Sequence, residues 1–262
     1  MNQILDIKRL GYLARRDFLS GWRGIAVASG AVAGVMFLLV IIGTLFNGQN
    51  SMDYTSYLTN TLIIWGSISA SMAFTSLHDK TRNETYLMLP ASSVEKTLIR
   101  LLSVSVATLV YIIVMLSLAS IFSEAVIAIV FHTKFSPLNP FQGMIFKTLG
   151  YVVILQSVFF LGASWFKKAH FIKTVLTLIL LSIAIGILST VVFRLFFASY
   201  FEGFFTPGVM HFDMGNLMES EFPSLIKALK LIGKVLLYGL LAPFCWVIAW
   251  LRVKETQSSD GV

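Results

Sequence analysis

Six long apolar runs, separated by polar segments, organise this chain. They cover residues 24–46, 57–77, 101–121, 144–166, 172–196 and 231–251. About 20 helical residues, rising 1.5 Å each, cross the roughly 30 Å hydrocarbon core of a bilayer. The pattern predicts an all-α integral membrane protein with six transmembrane helices. The third apolar run continues to Phe131. Helical throughout, it would reach roughly 46 Å. The reading favoured here breaks it near Ser123 and Glu124, with Glu124 at the outer interface. The alternative is one long tilted helix.

Outside the spans, three segments have patterns of their own. In residues 1–23, Ile4, Ile7, Leu10, Ala14, Phe18 and Trp22 recur every three or four positions and share one helical face. Lys8, Arg9, Arg15 and Arg16 lie mostly off it, where anionic headgroups would meet them. This predicts an interfacial amphipathic helix, with Gly21 and Gly24 offering a bend before the first span. The alternative is a cytoplasmic extension of that span. Residues 198–230 hold Tyr200, Phe201, Phe204, Phe205, Phe212 and Phe222, and Pro207 and Pro223 punctuate them. That aromatic density predicts re-entrant helices in the outer leaflet, or a loop packed on its own spans. The tail from Glu255 to Val262 reads as disordered.

Composition supports the membrane reading. Of 262 residues, 56% are hydrophobic and 13% charged, about half the charged share of soluble domains. The net charge of +7 is a matter of topology before it is one of partners, and nucleic acid is not among those expected. With the N-terminus inside, the cytoplasmic segments hold Lys8, Arg9, Arg15, Arg16, Arg23, Lys80, Arg82, Lys96, Arg100, Lys167, Lys168, Lys173, Arg252 and Lys254. The outer segments hold only Lys134, Lys147, Arg194, Lys227, Lys230 and Lys234. The positive-inside rule then places both termini in the cytoplasm. The charges of residues 1–23 are too many for a cleavable signal, so the first span reads as retained. A single cysteine, Cys245, excludes an internal disulfide and reads as a packed side chain.

The polar island between the second and third spans, residues 78–100, carries the most specific pattern. Pro90 ends any helix before it. Ser92, Ser93, Val94 and Glu95 form a capping box, with Ser92 as N-cap. Before the proline, Asn83 is positioned to cap a short helix holding Glu84, Tyr86, Leu87 and Met88. An apolar patch rimmed by charge in a cytoplasmic loop is a partner surface or a loop packed on the membrane.

The run from Glu84 through Leu89, Pro90, Ser92, Glu95 and Lys96 resembles the cytoplasmic loop of permeases in the type-2 class of ABC exporters. The layout is similar too: an amphipathic helix, six spans, and re-entrant helices before the last. The resemblance implies a single permease domain over 1–262 in a bacterial inner membrane. It implies two partners, a cytoplasmic ABC ATPase subunit and a second permease subunit, identical or related, within the membrane lipids. It also implies that Glu84, Tyr86, Leu87 and Met88 meet the ATPase, while Ser92, Glu95 and Lys96 place the following helix. ATP and magnesium would belong to the partner, and this chain would bind no cofactor itself.

Other chemistry is sparse. No G-x-x-x-x-G-K-[ST] phosphate loop occurs, so ATP hydrolysis is not expected of this chain. His78, His132, His170 and His211 are too scattered for a metal site. An intramembrane hydrolase would need a nucleophile and base inside the spans. In Gly66, Ser67, Ile68 and Ser69 the serines lie at membrane depth, but small polar residues there usually pack helices together. Lys147 and Arg194 lie near span ends, where they snorkel. Gln156 is the one amide well inside a span. It lines a pathway or hydrogen-bonds a neighbouring helix. The leading expectation is thus an exporter permease. The alternatives are a non-transporting scaffold that anchors a cytoplasmic complex and, third, an intramembrane hydrolase.

Overall fold

A computed structural model describes residues 7–47, 53–75, 92–132, 135–196, 227 and 231–259. Among these residues the secondary structure is helical, with no strand. Five helical stretches are long and apolar enough to cross a membrane: Gly21–Phe46, Ser93–Phe131, Gly143–Trp165, His170–Val192 and Leu231–Thr256. The chain is a multi-pass membrane protein by this measure. The sixth expected span is helix α2, Tyr54–Ser71, of 18 residues. It carries Thr55, Ser56, Thr59, Asn60 and Thr61 in its first half and is less apolar than the other five.

Helix α1 is one continuous helix, Ile7–Asn47, of 41 residues. By length it reaches roughly 62 Å. The helix continues through Gly21 and Gly24 without a break, and the segment before the span extends it. Glycine permits a bend without imposing one, and neither residue needs the left-handed backbone that only glycine takes easily.

The third span also differs from expectation. Helix α3 runs unbroken over Ser93–Phe131, 39 residues, and ends where His132 turns left-handed, at φ 55°. There is no break at Ser123 and Glu124. Instead α3 contains a π turn at Ser103–Ala107. Helix α4 covers Gly143–Trp165 and α5 covers His170–Phe196. A second π turn, Val235–Leu240, leads into α6, Leu241–Ser259. Residues 255–259, expected to be disordered, continue this helix. An Arg252–Glu255 ion pair at 2.9 Å and a bond from the Thr256 hydroxyl to the Arg252 carbonyl support its last turns.

The chain divides into two compact units, residues 172–241 and the remainder. In the smaller unit α5 carries Ile179, Leu180, Leu181, Ile183 and Ile185. They point to all sides of the helix, so it is apolar all round, as membrane spans are. In the larger unit α1 to α4 enclose the core. Met36 and Val40 of α1, Leu58 and Leu62 of α2, Ile112 and Leu116 of α3, and Ile145 and Val152 of α4 are buried there. On α2 the buried positions Tyr54, Leu58, Leu62, Gly66 and Ala70 fall four apart, one stripe turned into the bundle, where α2 packs on α4 and α3. The stripe tapers from large to small residues. Lipid tails are as apolar as leucine, so helices associate in a bilayer by close packing and hydrogen bonds. Small residues such as Gly66, Ser67, Ala70 and Ser71 allow the approach that both require.

Candidate functional site

The polar island supplies one part of the candidate site. Its residues Glu84, Tyr86, Leu87 and Met88 lie outside the described residues, as does the segment 198–230 except for Lys227. The described part begins at Ser92 and has the predicted capping box. The Ser92 hydroxyl accepts from the Glu95 amide at 3.2 Å, and the Glu95 carboxylate accepts from the Ser92 amide at 2.8 Å. Two amides left over at the helix start are satisfied reciprocally.

The burial of this first turn is not legible in the sequence. Glu95 is 1% exposed and Lys96 4%. The Lys96 ammonium meets the like charge of Arg16 on α1. That group lies ahead of the apolar part of α3, which starts at Leu101. Lys96 therefore sits against α1 and is not an exposed side chain.

The second part is a seam inside the membrane where α2, α3 and α4 meet. Gln156 is 1% exposed. Its amide nitrogen donates to the Val104 carbonyl at 3.2 Å and approaches the Gly66 carbonyl at 3.5 Å. Val104 belongs to the π turn. A π turn shifts the hydrogen-bond partner from i+4 to i+5 and disturbs the carbonyl ladder locally. Here the Thr108 amide reaches back to the Ser103 carbonyl, and its hydroxyl does so too, at 2.9 Å. The Val104 carbonyl takes its donor from α4. Gln156 thus makes the helix-to-helix bond that was one of its two readings. A β-carbon on Gly66 would lie 2.9 Å from the Gln156 nitrogen, so glycine is what lets α2 come this close. The Gln156 side-chain oxygen has no hydrogen-bond partner among the described residues.

The third part is a clasp at the other end of the bundle. Glu124, expected at an interface, is fully buried on α3. One carboxyl oxygen accepts from the Tyr54 hydroxyl of α2 at 2.6 Å. The other accepts from the Ser136 amide at 3.2 Å. One turn earlier the Ser120 hydroxyl accepts from the Leu138 amide at 3.2 Å. These bonds hold the connection from α3 to α4 against the bundle. Beside them Asp53 caps α2, accepting from the Thr55 and Ser56 amides at 3.0 and 3.2 Å and the Ser56 hydroxyl at 2.6 Å. The Ser56 hydroxyl, then its amide, lower the Asp53 carboxyl below the usual range. The Thr55 hydroxyl donates to Gln142, the N-cap of α4, at 3.2 Å.

Sequence reading missed Tyr54, Gly66 and Val104 as partners. The single buried-span amide at Gln156 was the only signal that could have led to the last two. Cys245 is buried, as its apolar run implied. Compared with known proteins, the chain matches no family model, no curated protein and no solved structure.

Proposed function

We propose that this chain is the permease subunit of an ATP-driven exporter of the type-2 ABC class, set in a bacterial inner membrane with both termini cytoplasmic. A separate ATPase subunit would supply hydrolysis, and a second permease subunit would complete the path. The observation that carries the reading is the capped start of α3. The resembling island leads directly, through Ser92 and Glu95, into a helix of 39 residues. A displacement of the loop by a closing ATPase would pass into that helix without an intervening joint. It would arrive first at the π turn bound by Gln156.

The test is at the island. Tyr86, Leu87 and Met88 are assigned to a hydrophobic cleft of the ATPase, because interface energy concentrates in a few buried anchors. Tyr86→Ala should weaken ATPase binding by about 1–2 kcal/mol. Leu87→Asp should abolish co-purification of the ATPase and its substrate-stimulated hydrolysis while the protein still inserts. A Leu87→Asp protein with wild-type binding and coupling refutes the assignment. ATPase binding without any transport in the wild type would favour a scaffold.

A further inference from the structure

The turn between α4 and α5 and the end of α6 together form a positively charged surface that the exporter reading does not use. Helix α4 stops at Trp165, where the Phe166 amide donates to the Gly162 carbonyl at 3.0 Å. The chain then reverses through residues 166–169. Ala169 closes the turn in the left-handed region, φ 53°, at a cost of roughly 1–2 kcal/mol for a residue with a β-carbon. Phe171 stacks on Phe159 just beyond it, with ring centres 5.3 Å apart and planes 16° apart. Turned in this way, Lys167 and Lys168 are both exposed.

A third cation joins them. The Arg252 guanidinium of α6 lies over the Trp165 ring, 5.1 Å from its centre. The ring itself is 56% exposed. Glu255 takes one Arg252 nitrogen, which leaves other N–H donors of the guanidinium free of that acid. Lys167 and Lys168 thus follow the ring that Arg252 covers, and among the described residues Glu255 is the acid bonded to Arg252. The patch lies where two apolar stretches end, at Trp165 and after Leu251. An exposed tryptophan at such an end sits at headgroup depth, the level of the lipid phosphates.

We propose that Lys167, Lys168 and Arg252, built around the Trp165 ring, bind the headgroup of an anionic phospholipid. Arginine and lysine take the phosphate, and the tryptophan fixes the depth. The surplus of positive charge disfavours a zwitterionic headgroup, whose ammonium would meet the same cations. This inference is independent of the exporter reading and of which face of the membrane the turn occupies.

The experiment is native mass spectrometry of the full chain in detergent, titrated with phosphatidylglycerol or with phosphatidylcholine. Phosphatidylglycerol should bind the wild type more tightly, and added salt should weaken that preference. Lys167→Gln with Lys168→Gln should cut its affinity by roughly tenfold or more and leave phosphatidylcholine unchanged. Arginine at both positions should retain binding, and Lys147→Gln, away from the patch, should have no effect. Equal affinity for the two lipids, or an undiminished preference in the double glutamine variant, overturns the proposal. Complete displacement by millimolar inorganic phosphate also overturns it, in favour of a soluble anion. If the double variant does not fold, brominated lipids decide. Brominated phosphatidylglycerol should quench tryptophan emission more than brominated phosphatidylcholine, and Trp165→Phe should remove the difference. Persistence of the difference in Trp165→Phe refutes the site.

Discussion

Gly66→Ala is the sharpest test of the three-helix seam. The added β-carbon would stand 2.9 Å from the Gln156 amide nitrogen and 3.1 Å from a Val152 methyl. Unstrained carbon contacts begin at about 3.5 Å, so the amide must retreat by roughly half an ångström. Retreat loosens its approach to the Gly66 carbonyl and strains its 3.2 Å bond to Val104. Losing a helix-to-helix hydrogen bond in a bilayer costs about 0.6 kcal/mol on average and up to about 1.7. Crowding a packed site adds about 1–3 kcal/mol. Alanine returns about 1 kcal/mol over glycine in a helix. The net expectation is a destabilisation of about 1–4 kcal/mol. Gly150→Ala on α4 is the control, because nothing lies within 4 Å of its β-carbon position. It should be neutral or stabilising by up to about 1 kcal/mol. Reversible unfolding in mixed micelles, followed by circular dichroism, measures both. Equal stability of the two variants refutes the close approach. A Gln156→Ala background removes the crowded atom, so Gly66→Ala should cost at least about 1 kcal/mol less there. Additive effects would refute Gln156 as the cause.

Tyr54→Phe should destabilise by about 1–3 kcal/mol in the same assay, because it withdraws a donor from buried Glu124; a change within about 0.5 kcal/mol would show the clasp to be idle. Asp53 has a lowered carboxyl pKa in the folded chain, so its contribution is present above the ordinary carboxylate range and disappears as pH falls through the lowered value. Wild-type melting temperature should therefore fall more than that of Asp53→Asn between neutral pH and about pH 3, and parallel profiles would reject the cap as the source. For topology, single cysteines at Ser51, Lys80, Ser136, Lys168, Asn216 and Ser258 in a Cys245→Ala background should react with an impermeant outside reagent only at Ser51, Ser136 and Asn216. Outside labelling at Lys80 would reverse the orientation.

The apolar runs were legible because span length is a local property. About twenty residues without charge leave a helix few soluble alternatives. The capping box was legible for the same reason, since Ser92 and Glu95 lie within one turn. Gln156 stood out as an amide inside a span, although the sequence could not name its partners, which are 52 and 90 positions away. The break expected at Glu124 does not occur, and its burial was not legible, because the Tyr54 hydroxyl and Ser136 amide that make it tolerable come from other segments. Likewise Gly21 and Gly24 allowed a break that the helix α1 does not take.

By itself, then, the sequence determined that this protein is helical and membrane-spanning, where most of its helices run, and how α3 begins. Those follow from hydrophobicity and capping within a few residues of each other. Tertiary structure alone decided that Lys96 is buried beside Arg16, that a π turn turns the Val104 carbonyl toward α4, and that Arg252 lies on Trp165. Each of these depends on which helices approach and how closely. In a bilayer that is set by the fit of small residues and a few buried polar groups, whose partners are distant along the chain.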